Sequence, residues 1–380
     1  MPPVTPPMAP PEYPVIDGSS STIQMHMAIR ARLTDEHFSL EHSQTYAALE
    51  RLVPGPGNDQ PADVVLAVKY YDETLQDVQS RGADLVITPI AKEGFVFILH
   101  KDNPVDSLTQ QQLKDIYSGK ITNWKQLGGL DEDIVPYIRN WDSGSQTAME
   151  EFMDGEEIIG EEDHVLFSMM FMLTTVEQNR AGIGYNIYSW SMVQHFDLMN
   201  LKTVKVDGTA PSNKTLSNST YPLMVYTYSY YNRDNAKGKA LTDWLLTEEG
   251  QSVITSGGYV GIFGELPPAE LPYYHKDEDA AQNLVWEYYQ DKRNNPTHTI
   301  GDFPWYAYSH SVRVTDREQT LAHSDGKAKL VTAMYITYFK PEDYGYDGEE
   351  ERARFIVLTR EKDGKFEVIN EGEWEVGGNE

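Results

Sequence analysis

One stretch of the sequence joins a cation to several hydroxyl groups. Arg139 precedes Ser143, Gly144 and Ser145, and the residues that follow, 148–153, have the apolar spacing of an amphipathic helix. A helix N-terminus carries unsatisfied N–H groups and a partial positive charge, and arginine presents a planar fork of donors that matches carboxylate, sulfate or phosphate. The stretch therefore has the chemistry of an oxyanion site, although an ordinary helix cap beside a surface arginine would use the same residue types.

Two earlier helix starts carry hydroxyl side chains as well. A short strand predicted at 13–17 leads through a Gly/Ser turn into a helical pattern at 23–33, and a second helix is predicted at 41–52. A strand, a turn and then a helix is the arrangement that presents backbone N–H groups to an anion. The hydroxyls at these two starts belong to Ser20, Ser21 and Thr22, and to Ser43 and Thr45.

Strands and helices alternate over the first 90 residues, which indicates an α/β domain with a parallel sheet. Ligands of such sheets bind outside the carboxyl ends of the strands, where the helices begin. The three hydroxyl-rich helix starts are therefore expected to converge on one site. Besides those named above, the predicted elements are strands at 62–68 and 83–90 and a helix at 72–81.

The pattern continues along the chain. Residues 95–99 are predicted as another buried strand, after the one at 83–90. The later predicted elements are helices at 108–117, 168–178, 236–246 and 249–256, and strands beginning at 182 and at 221.

Composition excludes several classes of function. The 380 residues carry a formal net charge of −28, which argues against a nucleic-acid partner because such binding depends on Lys and Arg neutralising phosphates. There is no cysteine, so disulfides and thiolate chemistry are excluded. The ten histidines have no metal-ligand spacing, and neither a phosphate-binding P-loop nor a dinucleotide fingerprint occurs, so no cofactor is expected.

Both ends of the chain differ from its middle. Residues 1–12 are predicted to be a proline-rich linker, and we expect such a spacer to follow a membrane anchor that has been removed. Residues 266–380 begin with a proline-rich segment and a predicted helix at 277–292. Strands predicted near 309–315, 327–339, 353–360 and 366–371 then indicate a small α+β domain with an antiparallel sheet, whose role the sequence leaves open.

Seven motifs follow one another in an order that is typical of one family. The chain resembles the phosphate-binding substrate-capture proteins of bacterial ABC transporters, especially the lipoproteins of Gram-positive bacteria, over residues 13–265. The motifs are 17–22 (DGSSST), 103–108 (NPVDSL), 116–124 (IYSGKITNW), 139–147 (RNWDSGSQT), 182–185 (GIGY), 221–223 (YPL) and 244–251 (WLLTEEGQ).

The resemblance implies an α/β, two-lobed periplasmic-binding-protein-like fold of type II that closes over one ligand. Lobe 1 would comprise about 13–90 and 221–265, and lobe 2 about 91–220. The implied function is high-affinity capture of inorganic phosphate, without catalysis, for delivery to the membrane subunits of an ABC transporter. The implied location is the extracellular face of the cell membrane, with a lipid anchor as the chain's contact with the membrane.

The resemblance also implies a set of phosphate-binding residues: Ser20, Ser21, Thr22, Ser43, Thr45, Arg139, Ser143, Gly144 and Ser145. One position departs from the family, whose better-known members place an aspartate, the acceptor of the ligand's proton, just after the strand at 62–68. This chain has Val68 and Lys69 there, so the preference for phosphate over sulfate stays open. Asp17 or Asp142 could replace the missing acceptor, and Asp17 could equally serve only to cap its turn.

Two other functions remain as alternatives. The same lobes could form a phosphate-sensing or adhesion module that signals through the C-terminal domain. An anion-dependent hydrolase is the third hypothesis, but no nucleophile elbow and no metal-ligand spacing support it.

Overall fold

The computed structural model describes residues 13–34, 42–55, 58, 61–160, 164–193, 196, 199–264 and 266–269, together with four strands beyond residue 305. The chain divides into two compact units, Met1–Leu271 and Pro272–Glu380, and each is described by itself.

The first unit alternates helices and strands, as the sequence predicts. Its helices are α1 (Ile23–Leu33), α2 (Thr45–Glu50), α3 (Asp72–Ser80), α4 (Gln110–Tyr117), α5 (Gly144–Met153), α6 (Met169–Gln178), α7 (Tyr188–Val193), α8 (Asn213–Ser217), α9 (Ala236–Leu245) and α10 (Glu248–Ser256). Its strands are β1 (Ile16–Gly18), β2 (Val64–Ala67), β3 (Leu85–His100), β4 (Ser107–Leu108), β5 (Val135–Pro136), β6 (Ile138–Arg139), β7 (Val165–Leu166), β8 (Gly182–Ile187), β9 (Leu201–Thr203), β10 (Lys205–Val206), β11 (Met224–Asn232) and β12 (Val260–Gly261).

One sheet runs through the whole unit in the order β1-β2-β11-β3-β8-β5, with β12 and β9 also paired to β3. It is mixed rather than purely parallel: β1 pairs parallel to β2 and β5 parallel to β8, whereas β11 runs antiparallel to both β2 and β3. We call β1, β2, β11, β12 and the start of β3, with their helices, the first lobe. The end of β3 with β5, β8 and β9 and their helices forms the second lobe.

The prediction of two separate strands at 83–90 and 95–99 is wrong, because β3 is one continuous strand of 16 residues. The residues between the two apolar runs pair with β11, from Ala91 opposite Thr227 to Gly94 opposite Met224. Pairing with β11 therefore keeps this charged, less apolar segment in the strand. The two long neighbouring strands β3 and β11 connect the two lobes.

The core of the first lobe lies on both faces of the sheet. Along β2 the side chains alternate: Val64 and Leu66 pack with α1, α9 and α10, whereas Val65 and Ala67 pack with α2 and α3. All four are fully buried, which explains why this strand reads as a continuous apolar run in the sequence.

Aromatic rings fill the core of the second lobe. Phe95 and Phe97 of β3 pack against Tyr185 of β8 and Phe152 of α5, with ring centroids 5.4 to 6.3 Å apart. Tyr117, at the end of α4, extends this group and is also fully buried. Helix α5 is thereby attached near its end, through Phe152, to the aromatic core of this lobe.

The described part of the second unit is a four-stranded antiparallel sheet in the order β13-β14-β15-β16. Its strands lie close to the places where the sequence pattern predicts them: β13 (Tyr306–Arg313), β14 (Val331–Phe339), β15 (Arg352–Arg360) and β16 (Phe366–Glu375). The helix predicted at 277–292 and the linker predicted at 1–12 lie outside the described residues.

Of the helices in the described part of the chain, none has both the length and the apolar character that crossing a membrane requires.

Candidate functional site

The first predicted helix start is fixed to the end of the neighbouring strand. The turn Ser20–Thr22 follows β1, and the Ser19 N–H donates to the carbonyl of Leu66 at 3.0 Å. The Thr22 hydroxyl lies 2.9 Å from the carbonyl oxygens of both Ser19 and Leu66. Gly18 is required here, because a Cβ on it would lie 2.2 Å from the Leu66 oxygen. The turn thus lies at the carboxyl ends of β1 and β2.

The other hydroxyls of this turn have different environments. Ser21 is buried, its hydroxyl lies 2.6 Å from that of Ser19, and its carbonyl accepts a hydrogen bond from Tyr259. Ser20 is exposed. Ser21 and Thr22 are therefore held inside the fold, and Ser20 lies at the margin of the predicted set.

Asp17 connects the first helix start to the second. Its carboxylate is fully buried and accepts hydrogen bonds from the Gly18 N–H at 2.6 Å, from the N–H and hydroxyl of Ser43 at 2.7 Å each, and from Arg51 at 2.5 Å. With four donors on its two oxygens, Asp17 fits the role of a positioning group in this conformation. Its predicted role as the acceptor of a ligand proton stays a prediction.

Two histidines support the same turn. His42 Nδ1 lies 3.0 Å from the Ser19 carbonyl oxygen, and His26 Nδ1 lies 3.0 Å from His42 Nε2. Burial lowers the pKa of both imidazoles, for His26 with a further contribution from His42 and Arg30. Neutral rings arranged in this order let His42 Nδ1 donate to the carbonyl while its Nε2 accepts from His26. The pair therefore holds the Ser19 carbonyl without adding charge.

The third helix start belongs to the second lobe. Ser143 is the N-cap of α5: its hydroxyl accepts from the Ser145 N–H at 3.2 Å, and its own N–H donates to the Asn140 carbonyl at 3.1 Å. Ser143, Gly144 and Ser145 are all buried. Asp142, in the preceding loop, is half-buried and accepts a hydrogen bond from the side-chain amide of Asn140. It lies at the margin of the predicted set of site residues. Its predicted role as the acceptor of a ligand proton stays a prediction.

Arg139 is held beside this helix start by backbone groups. Its Nε donates to the Leu166 carbonyl at 2.8 Å and its Nη2 to the Phe167 carbonyl at 3.2 Å. Its backbone N–H donates to the Tyr185 hydroxyl at 2.8 Å. The side chain is only 7% exposed, so a charged guanidinium is retained inside the protein at the end of β6.

The two lobes meet at the predicted site. A Cβ on Gly144 of the second lobe would lie 2.2 Å from Val68 Cγ2 and 3.7 Å from both Cγ2 and Oγ1 of Thr45, which belong to the first lobe. Beside this contact, Tyr46 meets the edge of Trp141 with ring centroids 5.5 Å apart. The structure therefore shows the lobes in contact, with the second and third helix starts adjacent.

A salt bridge between Lys69 and Glu151 joins the lobes next to these contacts. Both side chains are nearly half exposed, so the pair contributes little by itself to holding the lobes together. The sequence could not predict this pair, because 82 positions separate the two residues.

Glu93 is a buried carboxyl group that the sequence did not single out. It lies in β3 where the chain passes between the lobes and is 0% exposed. Its Oε2 accepts from the Ser189 N–H at 3.2 Å, and burial raises its pKa to about 7. The sequence feature that could have drawn attention to Glu93 is a charged pair, Lys92 and Glu93, between two apolar runs. A charged pair in that position is equally typical of a loop.

Comparison with known proteins identifies relatives of the first unit. Residues 20–249, more than half of the chain, match the family model described as "PBP superfamily domain". Two proteins called "Phosphate-binding protein PstS" are similar to it. That of Staphylococcus epidermidis is 28% identical over 258 residues, covering 64% of this chain and 77% of the relative. That of Staphylococcus aureus is 29% identical over 261 residues, covering 64% and 76%.

A solved structure from Clostridium perfringens is similar in fold, with a TM-score of 0.55 and 26% identity. The match covers 65% of this chain and 99% of the other. That structure is described as a putative phosphate ABC transporter substrate-binding protein with bound phosphate.

The Asp17 network predicts a large stability difference between two charge-removing substitutions. Asp17→Asn leaves Arg51, whose side chain is 16% exposed, facing a neutral amide, and we expect a loss of about 3 kcal/mol in the free energy of unfolding. Glu50→Gln breaks the exposed pair with Arg81 and should cost less than about 1 kcal/mol. Urea denaturation of both variants checks this. Equal losses would contradict the structural role given to Asp17.

Glu93 predicts a dependence of stability on pH. Since burial raises its pKa from 4.5 to about 7, the folded protein retains a proton between these values that the unfolded chain has released. The free energy of unfolding should therefore fall as pH rises through this window, by about 3 kcal/mol in total. Glu93→Gln should remove this pH-dependent part of the free energy of unfolding. Glu248→Gln, at an exposed position in the first turn of α10, should retain it. Parallel stability profiles of the parent and Glu93→Gln from denaturation at several pH values would refute the assignment.

Proposed function

Because this chain belongs to the PBP superfamily, we propose that it captures inorganic phosphate between its two lobes and delivers it to the membrane subunits of an ABC transporter. The observation that carries the proposal is the meeting of Thr45 and Gly144, which brings hydroxyl-bearing helix starts of both lobes to one place beside buried Arg139. Support also comes from the staphylococcal relatives, which are called phosphate-binding proteins, and from the phosphate-bound clostridial neighbour.

The two lobes make complementary contributions to the proposed site. In the first lobe the ligand is bound at the helix starts of α1 and α2, and in the second lobe by the guanidinium of Arg139 and the start of α5. Donors that are already oriented lose little entropy on binding, and a site closed to water strengthens each hydrogen bond. The proposed ligand-binding residues are Ser20, Ser21, Thr22, Ser43, Thr45, Arg139, Ser143, Gly144 and Ser145.

Local positive potential must overcome the charge of the whole protein. A formal net charge of −28 repels a phosphate anion at long range. Two features act at short range: the N–H groups at the helix starts, and a guanidinium held by the carbonyls of Leu166 and Phe167. Since screening by salt weakens long-range repulsion more than contact interactions, moderate salt should not abolish binding.

The proposal extends to partners and location. The chain would act outside the cell, held at the membrane surface by a lipid anchor, with residues 1–12 as a spacer. It would release phosphate to transporter subunits without chemical change of the ligand.

Arg139→Ala should weaken phosphate binding by about a hundredfold, since removing one partner of a buried charged contact costs about 3 kcal/mol. Arg180→Ala is the matched control, because that arginine is also in the second lobe but is 59% exposed and paired with Glu132. Isothermal titration calorimetry with inorganic phosphate measures both. Unchanged affinity in Arg139→Ala would exclude this residue from the site.

Gly144→Ala should prevent the lobes from meeting as they do here, because the added Cβ would lie 2.2 Å from Val68 Cγ2. We expect phosphate affinity to fall at least about tenfold, from overpacking at the contact. Adding Val68→Ala to the same chain removes the clashing methyl group and should restore most of the loss. Calorimetric titration of the single and double variants tests this, and a double variant no better than Gly144→Ala would contradict the contact.

A further inference from the structure

One face of α5 in the second lobe lies against residues 69–71 of the first lobe. Thr147, Glu150 and Glu151 lie three or four positions apart, so they share a face of that helix. Glu151 pairs with Lys69, which shows that this face is directed at the first lobe. Residues 69–71 lie between β2 and α3. This part of the boundary between the lobes is therefore formed by residues outside the proposed phosphate-binding set.

Two tyrosines of the first lobe contribute aromatic rings to this boundary. The Tyr70 hydroxyl donates to the Thr45 carbonyl at 2.6 Å, inside the first lobe. Because side chains alternate along extended backbone, Lys69 and Tyr71 are directed away from Tyr70, toward the second lobe. Tyr46, in the first turn of α2, lies beside Tyr71 with ring centroids 6.5 Å apart. The two neighbouring phenols therefore lie at the boundary with α5.

The hydroxyl oxygens of Tyr46 and Tyr71 are shielded from solvent, but neither satisfies hydrogen-bond geometry with a residue in the described part of the chain. Acceptors of α5 lie close by. Burial raises the pKa of Tyr71, and the adjacent Glu150 raises it further, whereas Thr147 opposes the rise. Burial also raises the pKa of Tyr46, against the opposing effects of Thr74 and Thr147. Both hydroxyls are thus next to polar groups of the opposite lobe.

These hydroxyls are unfavourable as they stand and would be favourable after a small further approach of the lobes. A shielded hydroxyl without a partner costs free energy, whereas a hydrogen bond to a charged carboxylate is stronger than one between neutral groups. Glu150 can accept such a bond, because Gln146 Nε2 occupies one site on its Oε1, at 3.1 Å, and a carboxylate has about four. Full closure would therefore replace a cost with a gain at two positions.

We propose that Tyr46 and Tyr71 are positioning residues that lock the lobes together over the captured anion, an inference that rests on the proposed function. When the ligand draws the lobes fully together, the Tyr71 hydroxyl donates to the Glu150 carboxylate and the Tyr46 hydroxyl to the Thr147 hydroxyl. Neither tyrosine contacts the ligand. The lock slows the release of phosphate and has little effect on its capture, because the open protein has not yet formed these bonds.

The test compares the parent with Tyr71→Phe, which removes one hydroxyl and keeps the ring. The release rate is measured by chasing bound radiolabelled phosphate with an excess of unlabelled phosphate, and the affinity by calorimetry. We expect release about tenfold faster and affinity about tenfold weaker, so the association rate calculated from them should change less than about twofold. Tyr46→Phe should show a smaller effect in the same direction, because its partner is neutral.

Lys69→Ala is the matched control. It breaks a contact across the same boundary, but the Lys69–Glu151 pair is nearly half exposed, so release should change less than about twofold.

The direction of the change distinguishes a bonded hydroxyl from one that stays without a partner. If the Tyr71 hydroxyl gained no partner in the liganded protein, its removal would relieve a cost. Release from Tyr71→Phe that is as slow as from the parent, or slower, would therefore overturn the inference and leave the proposed function intact. A parent protein that binds no phosphate would overturn both.

A double-mutant cycle separates the lock from a structural role of Tyr71 within the first lobe. Glu150→Ala removes the acceptor, so adding Tyr71→Phe to it should speed release by less than about a further twofold. A structural defect caused by Tyr71→Phe would persist in the Glu150→Ala background. Effects of the two substitutions that multiply in full would thus overturn the inference as well.

Discussion

The carboxylate of Asp17 accepts four hydrogen bonds inside the first lobe, and the geometry of the site depends on them. Through Ser43 it sets where α2 begins relative to β1, and through Arg51 it balances its own buried charge. The neutral pair of His26 and His42 then holds the Ser19 carbonyl on the same turn. Two helix starts that are far apart in sequence are thus fixed as one rigid surface, which a binding site needs before its ligand arrives.

The two long strands β3 and β11 impose a complementary constraint. They pair from Leu85 opposite Asn232 to Gly94 opposite Met224, with one irregularity at Thr227 and Tyr228. Because backbone hydrogen bonds join the strands along this length, the lobes are connected by a ribbon that resists stretching. Opening and closing must then come from bending and twisting of the ribbon, as in hinge motions between domains. Glu93 lies within this ribbon, opposite Val225 of β11.

Local patterns in the sequence predicted much of this structure. The family and the fold class are confirmed, and α1 has the predicted bounds. Long-range contacts escaped prediction: the Asp17–Arg51 pair, the continuity of β3 and the environment of Glu93 each depend on strands that meet only in the folded chain. The ligand-binding set stays a prediction, although the structure places Thr45 beside Gly144 and Ser43 beside Asp17.

Trp141 is 72% exposed, yet its ring edge touches Tyr46 across the line where the lobes meet. Its neighbours therefore change when the lobes separate, while the buried Trp124 keeps its surroundings. An indole in this position acts as a built-in optical reporter of lobe movement. Its emission would follow opening and closing in real time with no attached dye, and the kinetics of capture and release could be read from the unmodified protein.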